Sequence, residues 1–128
     1  NKSHQMRNLP TANNVRQEIQ DKKQREVFGK LVELVNANLT DQQFSVDHLC
    51  LELGMNRTKL YSFIKSTTGM SLGNYIRKIR LDKAAELLRT TDMSISEVGY
   101  AVGIESPSYF TRTFKEQLGS SPSEFIKH

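Results

Sequence analysis

The sequence predicts an all-α fold of about seven helices, built as two helix-turn-helix units joined by one long helix. Three observations carry that prediction. First, Ser45, Val46, Leu49, Leu53, Gly54 and Met55 recur as Ser94, Ile95, Val98, Val102, Gly103 and Ile104, each 49 positions later. Second, the copy continues past the glycine with one residue inserted: Leu60, Ile64, Lys65, Gly69, Ser71, Tyr75 and Ile76 return as Phe110, Phe114, Lys115, Gly119, Ser121, Phe125 and Ile126, 50 positions on. A repeat that keeps its caps, its apolar positions and its turn glycine is one supersecondary unit used twice. Third, a single long segment of helical period joins the two copies. The chain has 128 residues, and halves of about 50 residues bury too little surface to be reliably stable alone, so the copies are expected to share a helix or an interface.

Residues 1–23 are polar, rich in Asn, Gln and Lys, and hold no sustained apolar period. They read as a linker or a cloning remnant that could be partly helical from Val15 onward. Because the chain begins with Asn1, it is expected to be a fragment of a longer protein. From Gln24 the pattern changes, and Val27, Phe28, Leu31, Val32, Leu34, Val35 and Leu39 form a wide apolar stripe for a first helix. Asn38 and the stretch 40–44 end it, and Ser45 can cap the next helix.

That second helix, about 46–53, is expected to bury Val46, Leu49, Cys50 and Leu53 and to stop at Gly54, which can take the left-handed conformation of a sharp turn. Met55 enters the core, and Asn56 caps a third helix, about 57–67, with Leu60, Phe63 and Ile64 inward. Gly69 stops it. Ser71 opens the longest helix, whose inward face is read as Leu72, Tyr75, Ile76, Ile79, Ala84, Leu87 and Leu88. Its expected length of about 19 residues corresponds to about 28 Å at 1.5 Å per residue. In the second unit, Ser94 with Glu97 makes a capping-box pair, Ser106 precedes Pro107 at the first helical position, and Ser121, Pro122 and Glu124 combine both devices. Helices of about 95–102, 107–118 and 122–127 follow, burying Ile95, Val98, Val102, Ile104, Phe110, Phe114, Leu118 and Phe125. The resulting division is 1–23 as linker and 24–128 as one domain, with units at about 45–68 and 94–119, a joining helix at about 71–90 and a terminal helix at about 121–127.

The single cysteine, Cys50, excludes an internal disulfide and a cysteine-built zinc site. His4, His48 and His128 lie far apart and have no partner at metal-ligand spacing, so no metal and no cofactor is expected. No apolar run approaches the ~20 residues that span a bilayer. A net charge of +4 suits a polyanionic partner.

A recognition helix presents polar side chains from its N-terminal half to base edges and reaches phosphate with its remaining cations. With Leu60, Phe63 and Ile64 inward, the outward set of the third helix is Arg57, Thr58, Tyr61, Ser62 and Lys65. From Gly54 to Thr68 there are three basic residues and no acidic one. In the second copy the outward set is Pro107, Ser108, Thr111, Arg112 and Lys115. Arg57 and Arg112 can each grip guanine O6 and N7 with two hydrogen bonds, and Thr58, Ser108 and Thr111 can bond several bases or lay a methyl against thymine. The helix N-termini at Ser45 and Ser94 can point amides at phosphates, and Lys59, Lys65 and Lys115 can add charge. Any one of these residues could instead belong to an ordinary solvated helix face; it is their repetition that favours double-stranded DNA as partner.

These motifs resemble the DNA-binding domain of the AraC/XylS family of bacterial transcriptional regulators. The resemblance runs from about Phe28 to Lys127 and is densest in Ile95, Glu97, Val98, Ala101, Val102, Gly103, Ile104, Ser108, Tyr109, Phe110, Arg112, Phe114, Lys115, Gly119, Pro122 and Phe125. It implies a homeodomain-like pair of motifs with recognition helices in successive major grooves. It also implies base contacts at Arg57, Thr58, Tyr61 and Ser62 and at Pro107, Ser108, Thr111 and Arg112. Ile104 stands where the family usually has phenylalanine, and Pro107 can offer no side-chain hydrogen bond. Such domains are usually fused to a sensor, ligand-binding or receiver module. The basic helix with Arg77, Lys78 and Arg80 is similar to the effector ends of hybrid two-component regulators of carbohydrate use. The resemblance therefore implies control of a metabolic operon from the cytoplasm, by a protein whose intact form could be anchored in the inner membrane.

Two other readings stay open at this stage. A helical interaction module could dock RNA polymerase or a sensor domain through the Arg77 to Arg80 face or through the first helix. An enzyme would need a reactive group such as an accessible Cys50, and its place inside an apolar stripe argues against that.

Overall fold

The computed structural model describes residues 11–41 and 44–126. Among them it has seven helices: α1 (Ala12–Ala37), α2 (Val46–Leu53), α3 (Arg57–Thr68), α4 (Leu72–Thr90), α5 (Ile95–Ala101), α6 (Pro107–Leu118) and α7 (Pro122–Ile126). The caps are those that the local sequence calls for. Ser45, Asn56, Ser71, Ser94 and Ser106 each accept a hydrogen bond from the amide three residues on. Ser94 and Glu97 form a full capping box. Gly54, Gly69, Gly103 and Gly119 all have positive φ.

The first helix begins earlier than its apolar stripe. Thr11 caps it by accepting the Asn14 amide, and the turns before Asp21 are exposed throughout. No apolar face is needed there, because a helix already nucleated by packing at Leu31 and Val35 extends at little cost through good helix formers, and Gln17 adds a bond to Asp21. Residues 1–10 of the expected linker, with His4, lie outside the described residues, as do Lys127 and His128 at the other end.

Two buried clusters make the core. One gathers Leu31, Val35, Leu49, Cys50, Leu60, Ile64, Leu72 and Ile79. The other gathers Leu81, Ala84, Ala85, Leu88, Val98, Val102, Ile104, Phe110 and Phe114. Helix α4 belongs to both and packs against α1, α3, α5, α6 and α7. The single inward face read along α4 is thus corrected to two. Leu72 and Ile79 serve the first cluster; Leu81, Ala84, Ala85 and Leu88 serve the second from a face turned about 200° away, two residues being that far apart around a helix. Tyr75, Ile76 and Leu87 are only half-buried.

The repeat is filled differently in its two copies. Cys50 and Leu60 occupy in the first unit the places of Gly99 and Phe110 in the second, and all four are buried. A Cβ on Gly99 would lie 3.2 Å from the Phe110 ring, so the larger ring takes the room that the missing side chain leaves. Cys50 is a core residue, as its place in the stripe implied.

Polar ties lock the halves to the joining helix. Arg80 Nη1 donates to the Leu39 carbonyl at 2.7 Å and to the Val102 carbonyl at 2.9 Å, linking the end of α1 to the end of α5. Burial pushes this guanidinium below its ordinary pKa. Gln117 Nε2 reaches the Lys78 carbonyl at 3.1 Å and Asp82 at 2.8 Å, holding α6 on α4.

Candidate nucleic-acid interface

The first recognition helix is positioned from beneath. Gly54 turns the chain in the left-handed region, the Met55 amide bonds the Cys50 carbonyl at 3.0 Å, and Asn56 starts α3 by accepting the Lys59 amide at 2.8 Å. Leu60 and Ile64 are fully buried, and Phe63 packs on Phe28 with ring centroids 5.0 Å apart. That leaves Arg57, Thr58, Tyr61, Ser62 and Lys65 exposed on one side of α3.

Arg57 is not a free cation. Its Nε donates to Asp47 Oδ1 at 2.9 Å, and Nη2 lies 2.9 Å from the same oxygen as an ion pair, across the turn from the first turn of α2. The carboxylate raises the Arg57 pKa above its ordinary value, chiefly through that hydrogen bond. The count of charges along α3 alone misses this acid, because it comes from the neighbouring helix ten residues earlier.

In the second unit, Phe110, Thr113 and Phe114 are buried under α6, while Pro107, Ser108, Thr111, Arg112 and Lys115 are exposed. Arg112 is held by an aromatic ring instead of a carboxylate: its guanidinium carbon lies 5.4 Å from the Tyr109 centroid. Tyr109 Oη in turn accepts from Arg77 Nη1 at 3.0 Å, so α4 fixes the ring that carries Arg112. Ser108 Oγ lies 3.4 Å from Ser106 Oγ. A mainly apolar recess of about 190 Å³ opens beside Pro107 and Thr111, lined also by Ile95, Tyr100 and Ile104 and, on its polar side, by Ser96 and Glu105.

Of the phosphate candidates, Lys59 and Lys115 are exposed, and Lys65 donates to the Gly69 carbonyl at 3.1 Å. Ser45 caps α2 and lies 3.2 Å from His48 Nδ1. The Ser94 amide bonds the Glu97 carboxylate and the Ser94 hydroxyl takes the Glu97 amide. A box of this kind leaves the amides of the first two helical positions for solvent or an anion.

The expected basic face at Arg77, Lys78 and Arg80 is corrected for Arg77 and Arg80, which are half-buried, while Lys78 stays exposed. Arg77 is bonded to Tyr109 and Asn74, Lys78 is paired with Asp82 at 2.8 Å, and Arg80 is turned inward. Arg77 and Arg80 tie α4 to the elements packed on it, whereas the Lys78 pair stays within α4. Among the described residues no cluster of His, Cys, Asp or Glu could hold a metal ion, and no helix is long and apolar enough to cross a membrane.

A family model described as a helix-turn-helix domain matches residues 49–128. The chain is similar to Histidine kinase P4 of Formosa agariphila, with 36% identity over 100 residues, covering 78% of this chain and 7% of that protein. It spans 32% and 33% of two further curated relatives, both regulatory proteins. Among solved structures it is similar to a transcriptional regulator with an AraC-type DNA-binding domain from Chromobacterium violaceum, at TM-score 0.72 and 28% identity over 84% of this chain and 92% of that one. It is also similar to the DNA-binding domain of AdpA solved with a target DNA, at TM-score 0.65 and 30% identity over 81% of this chain and 89% of that one.

Proposed function

The chain belongs to the AraC-type helix-turn-helix family of transcriptional regulators, and from that membership we propose that it binds double-stranded DNA sequence-specifically to regulate transcription. The family's domain is a DNA-binding transcription regulator domain and not an enzyme. The observation that carries the reading is the presence, on one rigid frame, of two helices that each expose polar and basic side chains over a buried apolar face. In this proposal α3 and α6 enter successive major grooves, which lie about 34 Å apart.

Arg57, Thr58, Tyr61 and Ser62 read bases in the first groove, and Ser108, Thr111 and Arg112 in the second. Pro107 contributes shape: beside Thr111 and a mainly apolar recess it can meet a thymine methyl, and it offers no hydrogen bond. Lys59, Lys65, Lys115 and the N-termini at Ser45 and Ser94 meet phosphate. The similarity to a histidine kinase, of which the chain covers a small part, supports an effector end in a hybrid two-component regulator. Its sensor or receiver module, an inner-membrane anchor, RNA polymerase as a second partner and control of a metabolic operon from the cytoplasm belong to the same proposal.

Selection from a randomised duplex library at about 150 mM salt, where nonspecific binding is weakened, tests it. Two enriched blocks about one helical turn apart are expected. Enrichment of one block would make the second unit an anchor, and no enrichment would overturn sequence-specific binding by this domain.

A further inference from the structure

We propose that Asp47 is a positioning residue that sets the base preference of Arg57, by holding the guanidinium from its side edge and leaving the end edge to a guanine. The inference rests on the reading of Arg57 as a base-contacting residue. The geometry is that of a divided fork. Nε donates to Asp47 Oδ1, and the side edge of Nη2 faces the same oxygen as an ion pair, both at 2.9 Å. With the Tyr61 side chain as its other neighbour, the guanidinium keeps both Nη1 hydrogens and the second Nη2 hydrogen clear of Asp47, out of the five N–H donors an arginine has. These form the parallel pair that matches O6 and N7 of guanine.

The support is rigid. Asp47 stands in the first turn of α2, where the helix dipole favours a carboxylate, and α2 is pinned to α3 by buried Leu49, Cys50, Leu60 and Ile64. A long side chain held in its binding geometry loses less rotamer freedom on binding DNA. Fold stability does not explain the pair. Its side chains are 55% and 73% exposed, and pairs so exposed add little. A carboxylate on a face that meets phosphate also opposes binding, so its presence calls for a compensating role in recognition.

The internal repeat supplies an independent comparison. The positions of Asp47 and Arg57 are held in the second unit by Ser96 and Pro107. Acid and arginine are present together in one copy and absent together in the other.

The test uses the duplex enriched from the randomised library, and a second duplex altered at the guanine that the wild type selects most strongly in the block assigned to α3. The ratio of the two dissociation constants is measured for the wild type, Arg57→Ala, Asp47→Ala, Asp47→Asn and the double variant, with thermal melts as a folding check. Arg57→Ala is expected to lower the ratio about tenfold, the size of one bidentate contact. Asp47→Ala is expected to lower it about threefold or more, while affinity for random duplex stays or rises because a negative charge is gone. Asp47→Asn keeps an acceptor oxygen and should retain more discrimination than Asp47→Ala. In the Arg57→Ala background Asp47→Ala should leave the ratio unchanged. An unchanged or increased ratio in Asp47→Ala, with discrimination still lost in Arg57→Ala, would overturn the role of Asp47 alone. No loss in Arg57→Ala would overturn the base-reading role beneath it.

Discussion

Arg80 occupies the space that a side chain on Gly103 would need. A Cβ on Gly103 would fall well inside contact distance of Arg80 Nη1 and of the Leu39 carbonyl oxygen, and the backbone there has φ 82°. The turn glycine of the second unit therefore serves two purposes: it allows the left-handed turn, and it clears the passage through which Arg80 reaches the carbonyls of Leu39 and Val102.

Its counterpart Gly54 has positive φ but nothing within 4 Å of a built Cβ. Gly54→Ala is expected to cost about 1–2 kcal/mol, the strain of a left-handed L-residue. Gly103→Ala should cost roughly 3–5 kcal/mol, because it also displaces Arg80 and leaves two carbonyls without their charged donor. Urea denaturation of the two variants checks the difference. Equal losses would mean that Arg80 has room to move aside.

The unequal filling of the two units predicts a compensating pair. Gly99→Ala alone pushes a methyl against Phe110 and the Ile104 carbonyl and should cost about 1–3 kcal/mol by overpacking. Combining it with Phe110→Leu, which copies the smaller residue of the first unit, should cost less than the sum of the single changes. A double-mutant cycle by thermal or urea unfolding reads the coupling, and strict additivity would refute direct packing between the two sites.

Lys115 lies exposed in the last turn of α6. Lys115→Ala is expected to weaken specific and random duplexes alike and to lower the slope of log K against log salt by about 1. A titration series in potassium chloride measures that slope. A change confined to one sequence would instead make Lys115 a base reader.

Much of the fold was legible because its signals are local. A cap such as Ser94 with Glu97 or Asn56 with Lys59 is completed within three residues, and a turn glycine or an apolar face at Leu60 and Ile64 is written in the same short window. Seven helices, their order and the outward sets of α3 and α6 follow from that grammar. The helical start at Ala12 was less legible, because propensity without an apolar stripe forms helix only when a packed segment nucleates it.

By itself, then, the sequence determined the repeat, the helices, the caps and the side chains available to meet DNA. Tertiary structure alone decided which charges are occupied elsewhere. Arg80 finds Leu39 across 41 positions, Arg77 finds Tyr109 across 32 and Arg57 finds Asp47 across 10. It also decided that α4 has two buried faces. The physical reason is range: backbone caps and helical period are set by neighbours within a turn, whereas a guanidinium reaches whichever oxygen the packed helices bring to it.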